Sequence, residues 1–265
     1  MQVTIDISKS VEENAGIYFD KAKKLKKKAL GAKEAVIESE KKLAALDKII
    51  KKEEYKEIEE FSKKPVKKEW YEKFRWFISS TNFLVIAGRD STTNEIIIKK
   101  NVAKEDVIFH TSISGSPFAV IKSLGKEIDA ATKQETADFT ASFSSAWKLG
   151  MSSLDIFYVN PDQVTKETPS GEYIQKGSFM IYGKKTILPA KLNLFIGKLE
   201  DGRLMIAPKS ATDSHCKESI EVFPGNEKSS ETAKKIKAIL KYNNLDDIIR
   251  ILPSGGCVVK WKNKN

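Results

Sequence analysis

Cysteine, histidine and arginine are scarce in this chain, and each scarcity excludes something. The 265 residues hold two cysteines, Cys216 and Cys257, and two histidines, His110 and His215. The cysteines lie far apart, with no metal-ligand spacing around them or around either histidine. His215 and Cys216 are adjacent, a poor geometry for one metal, so no metal site is expected. Only four of the 46 basic residues are arginine: Arg75, Arg89, Arg203 and Arg250. A lysine-dominated surface offers point charges for phosphate rather than bidentate reading of bases. No apolar run of about 18 residues exists, and nothing resembles a signal peptide. No membrane partner is expected, and the reducing cytoplasm is the natural compartment. Phosphate-loop, nucleophile-elbow and metal motifs are absent too, so neither a cofactor nor an enzyme is expected.

What is present is positive charge. The net charge is +10. An excess of this size suits a polyanionic partner, such as nucleic acid or an acidic surface; a merely lysine-rich soluble protein is the competing reading. Hydrophobic content of 40% is enough for a core of ordinary size. The length allows one large domain, or a domain with an appendage.

The appendage is legible as residues 1–69. Val11, Ala15, Tyr18, Ala22, Leu25, Ala29, Ala32, Val36, Ser39, Leu43, Leu46 and Ile50 follow an unbroken 4-3 spacing. That is the seam of a coiled coil. Gly31 is a soft spot within it. Helical spacing continues through Tyr55, Ile58 and Phe61, and Pro65 then kinks or restarts the chain. These features predict an antiparallel coiled-coil hairpin turning near Lys51–Glu54; self-association through the seam is the alternative. Residues 1–69 carry 18 lysines against 14 acidic residues, hence net +4, and the remainder is net +6. Six lysines fall between Lys21 and Lys28. Such a run is a solvated face or a phosphate contact.

The rest reads as α+β, with a mostly antiparallel sheet and packed helices. Trp70, Phe74, Trp76 and Phe77 suggest an aromatic helix running through Ser79–Ser80 into a strand. Phe83–Arg89 and Asn94–Lys100 read as a strand hairpin. Asp106–Thr111, Phe118–Lys122 and Asp155–Val159 read as further strands, and Gln134–Leu149 as a helix. Ser178–Tyr182 and Thr186–Leu188 suggest a hairpin around Gly183-Lys184-Lys185. Another hairpin joins Leu192–Leu199 to Arg203–Ala207 around Asp201-Gly202. Then come a strand at Ser219–Phe223, a helix capped by Ser229 or Ser230, a short helix at Leu245–Leu252 and a strand at Gly256–Trp261. The division expected is 1–69, an arm; 70–190, a binding domain; and 191–265, an α/β extension packed on it.

Two functional readings compete for the same residues. Asp106 and His110 share one face of a strand, yet lie about 13 Å apart, too far for a hydrogen-bonded dyad. Binding uses the residues better. His110 can donate to phosphate or ribose, Ser112, Ser114, Gly115 and Ser116 allow close backbone approach, and Lys184-Lys185 sit at a turn. The polar segment from Lys166 to Gly177 adds cations and Tyr173. Interleaved lysine, serine, glycine and tyrosine is the chemistry of RNA shape recognition.

Several motifs then align in one order. They are Trp70-Tyr-Glu-Lys-Phe-Arg-Trp-Phe-Ile-Ser-Ser; Gly88-Arg89-Asp90 with Asn94-Glu95-Ile96; Asp106-Val-Ile-Phe-His110 with Gly115; and Ser144-Ser145-Ala146-Trp147. Further on stand Gln163-Val164, Lys166, Ser170-Gly171-Glu172-Tyr173, Gly177-Ser178-Phe179-Met180-Ile181 and Gly183-Lys184-Lys185. This series resembles the NFACT-R RNA-binding domain of the NEMF/RqcH ribosome quality-control family. Ile5-Asp6, Ser8-Lys9-Ser10 and Asn14-Ala15 are similar to its coiled-coil entry. The tail, with Pro224-Gly225 and Leu252-Pro253-Ser254-Gly255, is similar to archaeal members.

The resemblance implies a cytoplasmic factor that binds tRNA and the rRNA of stalled large ribosomal subunits, with a protein partner on the coiled-coil arm. Complete members also carry an N-terminal domain and a helix-hairpin-helix domain; neither is expected within these 265 residues. Ser114 stands where many relatives carry a second histidine, and Tyr182 where many carry a basic residue. The expected face comprises Arg89, His110, Lys148, Lys166, Tyr173, Lys176, Lys184 and Lys185. Arg89 has a competing role as a structural ion pair with Asp90 or Asp106. The alternatives to RNA binding are a coiled-coil adaptor and an RNA-processing enzyme.

Overall fold

Local chemistry fixes the start of the first helix. In a computed structural model, which describes residues 4–63, 69–168 and 174–260, the Glu13 amide donates to Ser10 Oγ and the Ser10 amide to Glu13 Oε2. This reciprocal cap opens helix α1, Val11–Lys63. Asn14, buried, accepts from the Asp6 amide at 2.9 Å and donates to the Asp6 carbonyl at 3.0 Å, folding residues 4–10 back on the first turns.

The chain divides into Met1–Pro65 and Val66–Asn265. In the first unit the seam residues Val11, Leu25, Val36 and Leu43 are exposed. The expected turn at Lys51–Glu54 is absent: α1 runs straight through it for 53 residues, about 80 Å of helix. Lys51–Glu54 themselves carry no glycine or proline, so nothing local stops the helix there. Pro65 lies outside the described residues.

The second unit holds two antiparallel sheets around one hydrophobic core. The larger has the order β1-β2-β4-β3-β5-β8. Its strands are β1 (Arg75–Ile78), β2 (Leu84–Ala87), β3 (Val107–Thr111), β4 (Ala119–Lys122), β5 (Ser153–Val159) and β8 (Thr186–Lys191). The smaller sheet, β10-β9-β11-β12, uses β9 (Leu194–Lys198), β10 (Leu204–Ala207), β11 (Ser219–Pro224) and β12 (Cys257–Lys260). A two-stranded ribbon pairs β6 (Val164–Thr165) with β7 (Met180–Ile181). Helices α2 (Ser91–Lys100), α3 (Ala130–Ser142), α4 (Lys209–His215), α5 (Ser229–Ile239) and α6 (Leu245–Ile251) complete it. Trp261 lies outside the described residues, so the last strand is described to Lys260.

Four expectations are corrected. The aromatic segment is one 3-10 turn, Trp70–Lys73, followed by β1 rather than a helix. Phe77 meets the Phe139 ring at 4.7 Å, while the Ile78 amide reaches Met205 of β10 at 3.4 Å. Burial on both faces gives a strand the dense apolar run of a buried helix. Asn94–Lys100 belongs to α2, not to a strand. Asp90 accepts from the Thr93 amide at 2.8 Å, and the Thr93 hydroxyl accepts from the Asp90 amide at 2.9 Å. This cap overrides the β-branched run Ile96-Ile97-Ile98. Residues 178–188 form no hairpin of their own, because β7 pairs with β6 and β8 pairs with β5. Finally, Lys228 rather than a serine occupies the N-cap of α5.

Nine of the 13 residues of helix α3 are buried, although more than half of the helix is polar. Its hydroxyls bond backward along the helix, Thr136 to the Thr132 carbonyl, Thr140 to that of Thr136 and Ser142 to that of Asp138. These three buried hydroxyls are thereby satisfied along the helix, while Thr132 donates to Ser79 Oγ at 3.0 Å and Ser142 also accepts from the Asn193 amide at 3.0 Å. Beyond α3, Trp147 is fully buried and its indole N–H donates to the Gly256 carbonyl at 2.9 Å, tying the segment after α3 to the entry of β12.

Candidate nucleic-acid interface

The end of β2 and the first turn of α2 set up the site. Gly88 leaves room for Asn94: a Cβ there would stand 1.8 Å from Asn94 Oδ1. That oxygen accepts from the Phe118 amide at 3.1 Å, fixing the segment that precedes β4. Glu95, next on the helix, receives the Gly177 amide at 3.0 Å, Lys166 Nζ at 3.0 Å and Lys99 Nζ at 2.7 Å. These contacts, Lys99 first, hold its carboxyl down at about 2. The segment around Gly177 is thus pinned over the start of α2.

Between these parts lies a cleft of about 370 Å³. Arg75, Arg89, Asp90, Ser91, His110, Ser114, Gly115, Lys176, Gly177 and Ser178 are among its walls. Arg75 donates from Nη1 to the Gly88 carbonyl at 2.8 Å and lies 4.6 Å over the Phe143 ring. Burial first, and then the charge of Arg89, lowers its guanidinium to about 10. Arg89 falls to about 10 as well, from burial and from Arg250. The Nε of both arginines is buried without a hydrogen-bond partner.

Arg89 is engaged by the main chain. Its Nη2 donates to the Phe74 carbonyl at 2.8 Å and its Nη1 to the Arg250 carbonyl at 2.9 Å. The ion pair weighed for it does not form: Asp90 caps α2, and buried Asp106 holds Lys122 together with the Ala103 and Ser123 amides.

His110 is stacked face to face on Phe118, centroids 4.0 Å apart and planes 2° from parallel. Its Nδ1 lies 3.0 Å from the Pro117 carbonyl. A carbonyl only accepts, so Nδ1 carries the hydrogen. Burial lowers the ring pKa, and Lys185 lowers it further, against the opposing Pro117 bond.

The other expected residues scatter. Lys176 lines the cleft. Lys166 faces Glu95 and stands 5.1 Å over Phe179. Lys185 lies 4.6 Å over Phe157, whose ring meets His110 edge-on at 6.1 Å. Exposed Lys184 presents its carbonyl to Gln163 Nε2 at 3.0 Å. Lys148 is absent from the cleft walls, its stem packed beside Gly255. Tyr173 lies outside the described residues, as do Ser170, Gly171 and Glu172. Arg75 is the cleft cation that the sequence did not single out, because it sits inside the aromatic run that reads as a helix.

Residues 73–183, which contain nearly every wall of this cleft, match the NFACT protein RNA binding domain. The chain is similar to that family over 111 of its 265 residues. Over 208 residues it is 42% identical to the archaeal Rqc2 homolog aRqcH of Methanocaldococcus jannaschii, covering 76% of this chain and 31% of that protein. It is 37% identical over 207 residues to the ribosome quality control complex subunit NEMF homolog of Drosophila melanogaster, covering 75% of this chain and 20% of that one. The human ribosome quality control complex subunit NEMF is 38% identical over 183 residues, 66% of this chain and 16% of its own length. The chain therefore spans less than a third of these relatives. Among the described residues no helix is long and apolar enough to cross a membrane. Within this matched segment the family-like motifs have physical roles: Gly88 admits Asn94, Asp90 caps α2 and Glu95 anchors Gly177.

Proposed function

We propose that this chain binds RNA through the cleft and the lysines around it, as a cytoplasmic factor in quality control of stalled translation. The RNAs proposed are tRNA and the rRNA of the large ribosomal subunit. The observation that carries the reading is the excess of cations in the cleft. Arg75, Arg89 and Lys176 share its walls with one carboxylate, Asp90, which is engaged in capping α2. Lys184 and Lys185 extend the charge beyond the cleft and suit sequence-independent phosphate contacts. Titration of labelled tRNA at two salt concentrations tests it. Affinity falls steeply with salt if several lysines release counterions; no binding at low salt overturns the reading.

A second reading has its own observation. Val11, Leu25, Val36 and Leu43 form an exposed apolar seam on α1, as an arm that recruits a protein would. Removal of residues 1–65 separates the two. An RNA binder keeps much of its affinity, whereas an adaptor loses its partner. Hydrolysis by Asp106 with His110 finds less support, because the Asp106 oxygens are engaged by Lys122 and two amides.

A further inference from the structure

The cleft has two chemically different walls. One is cationic. Arg75 engages the Gly88 carbonyl through Nη1, and among the described residues its Nη2 meets no protein acceptor. No carboxylate lies within ion-pair distance of Arg75, Arg89 or Lys176 among the described residues. That wall attracts an anion and has donors left for it.

The other wall is His110, and it works the opposite way. Its ring is fixed by the Phe118 stack and by the Nδ1 bond to the Pro117 carbonyl. With Nδ1 as the donor, a neutral ring leaves Nε2 as a bare lone pair. Nε2 has no protein partner among the described residues. It would repel a phosphate oxygen and accept from a hydroxyl. The sequence suggested that His110 donates to phosphate; the tautomer set by Pro117 reverses that role.

We propose that the cleft seats one ribose-phosphate unit of an RNA strand, with Arg75 and Lys176 on the phosphate and Nε2 of His110 accepting from the ribose 2′-hydroxyl. A cleft of about 370 Å³ is near the lower limit for a small-ligand site, and suits a single unit rather than a duplex. The 2′-hydroxyl is the group that separates RNA from DNA at such a seat. This assignment rests on the RNA-binding reading and adds to it a discrimination that phosphate contacts alone do not provide.

The test uses the full chain and three single-stranded oligonucleotides of one sequence: RNA, DNA and 2′-O-methyl RNA. Fluorescence anisotropy at low salt gives each affinity. RNA is expected to bind about tenfold more tightly than either analogue, the loss from leaving a half-buried acceptor unpaired. In His110→Phe, which keeps a ring against Phe118, the ratio of RNA to 2′-O-methyl RNA falls to about one. In Arg75→Gln all three oligonucleotides weaken together and the ratio is kept. Equal binding of RNA and 2′-O-methyl RNA by the unaltered chain overturns the seat and leaves the RNA-binding reading standing. So does a His110→Phe protein that folds and still discriminates. Binding of none of the three at low salt overturns both.

Discussion

Gly177 lies directly against Ser91 at the start of α2: a Cβ on residue 177 would stand 2.4 Å from the Ser91 Cα. The glycine also has φ +81°, in the left-handed region, and its amide donates to Glu95. Two constraints thus coincide on a residue whose neighbours, Lys176 and Ser178, line the cleft. Gly177→Ala is expected to displace this segment, destabilise the protein by about 1–3 kcal/mol and weaken RNA binding. Thermal melting and anisotropy check it. Unchanged values for both would show that the close approach to Ser91 does not organise the cleft.

Arg89 and the Lys184–Lys185 pair should separate structure from binding. Arg89 ties the carbonyls of Phe74 and Arg250 to the start of α2, so Arg89→Ala removes charge-assisted bonds to two segments at once. A loss of about 2–3 kcal/mol is expected, or roughly 4–10 °C in Tm for a domain of this size. Lys184 is exposed, and Lys185 makes only a ring contact, at 4.6 Å from Phe157. The double variant Lys184→Ala, Lys185→Ala should melt within about 2 °C of the parent, as exposed substitutions usually do. It should bind tRNA less tightly, with a shallower salt slope. Parental affinity in the double variant would place the RNA on another face.

The sequence carried the fold class, and wherever hydrophobic periodicity and turn chemistry agreed the elements followed. Leu204–Ala207 returns on Leu194–Lys198 around Asp201-Gly202, and Gly202 has φ +88°. The failures have separate causes, the first being burial on two faces. Arg75–Ile78 packs on α3 and on β10 together, so its apolar residues do not alternate with polar ones. In α2 the run Ile96-Ile97-Ile98 looked like a strand, and the Asp90–Thr93 cap decided otherwise. The long arm misled differently. A coiled-coil seam shows that a partner surface exists without showing where the helix turns.

For the candidate site, charge was legible and pairing was not. A single sequence displays lysines and arginines alike whether or not a carboxylate or carbonyl already holds them. Lys166 reads as a free cation and faces Glu95, 71 residues distant in the chain. Arg89 reads as a ligand and serves the carbonyls of two other segments. Arg75 reads as part of a helix and lines the cleft.

The globular unit should fold without the arm. Val66–Asn265 holds the whole hydrophobic core, with Phe74 and Phe77 fully buried at its start. A 66–265 fragment is expected to melt in one cooperative transition with the Tm of the full chain to within about 3 °C, a shift worth less than roughly 1–2 kcal/mol. A fragment starting at residue 75 loses the burial of the Phe74 ring, about 2–3 kcal/mol, together with the Phe74 carbonyl that Arg89 binds, and should melt lower. Circular dichroism on both fragments decides the boundary. An aggregated 66–265 fragment would mean that the arm supports the core.

The pH dependence of stability reports on His110. Burial holds its folded pKa below the ordinary 6.5, so between those two values the unfolded chain binds more protons than the folded one. Its contribution is therefore complete above pH 6.5 and is lost as the pH falls toward the folded pKa. The charge of Lys185 opposes the imidazolium in the same direction. The lowered carboxyls of Asp90, Asp129 and Glu95 act in a separate window, below their ordinary values of about 4, and so do not blur the reading at pH 5.5. The parent and His110→Phe should be melted at pH 8 and at pH 5.5. The parent is expected to lose more Tm than the variant between the two, because phenylalanine keeps the stack on Phe118 and has no proton to gain. Equal losses would mean that the folded ring titrates as a free histidine does, with Nε2 no longer held as a neutral acceptor.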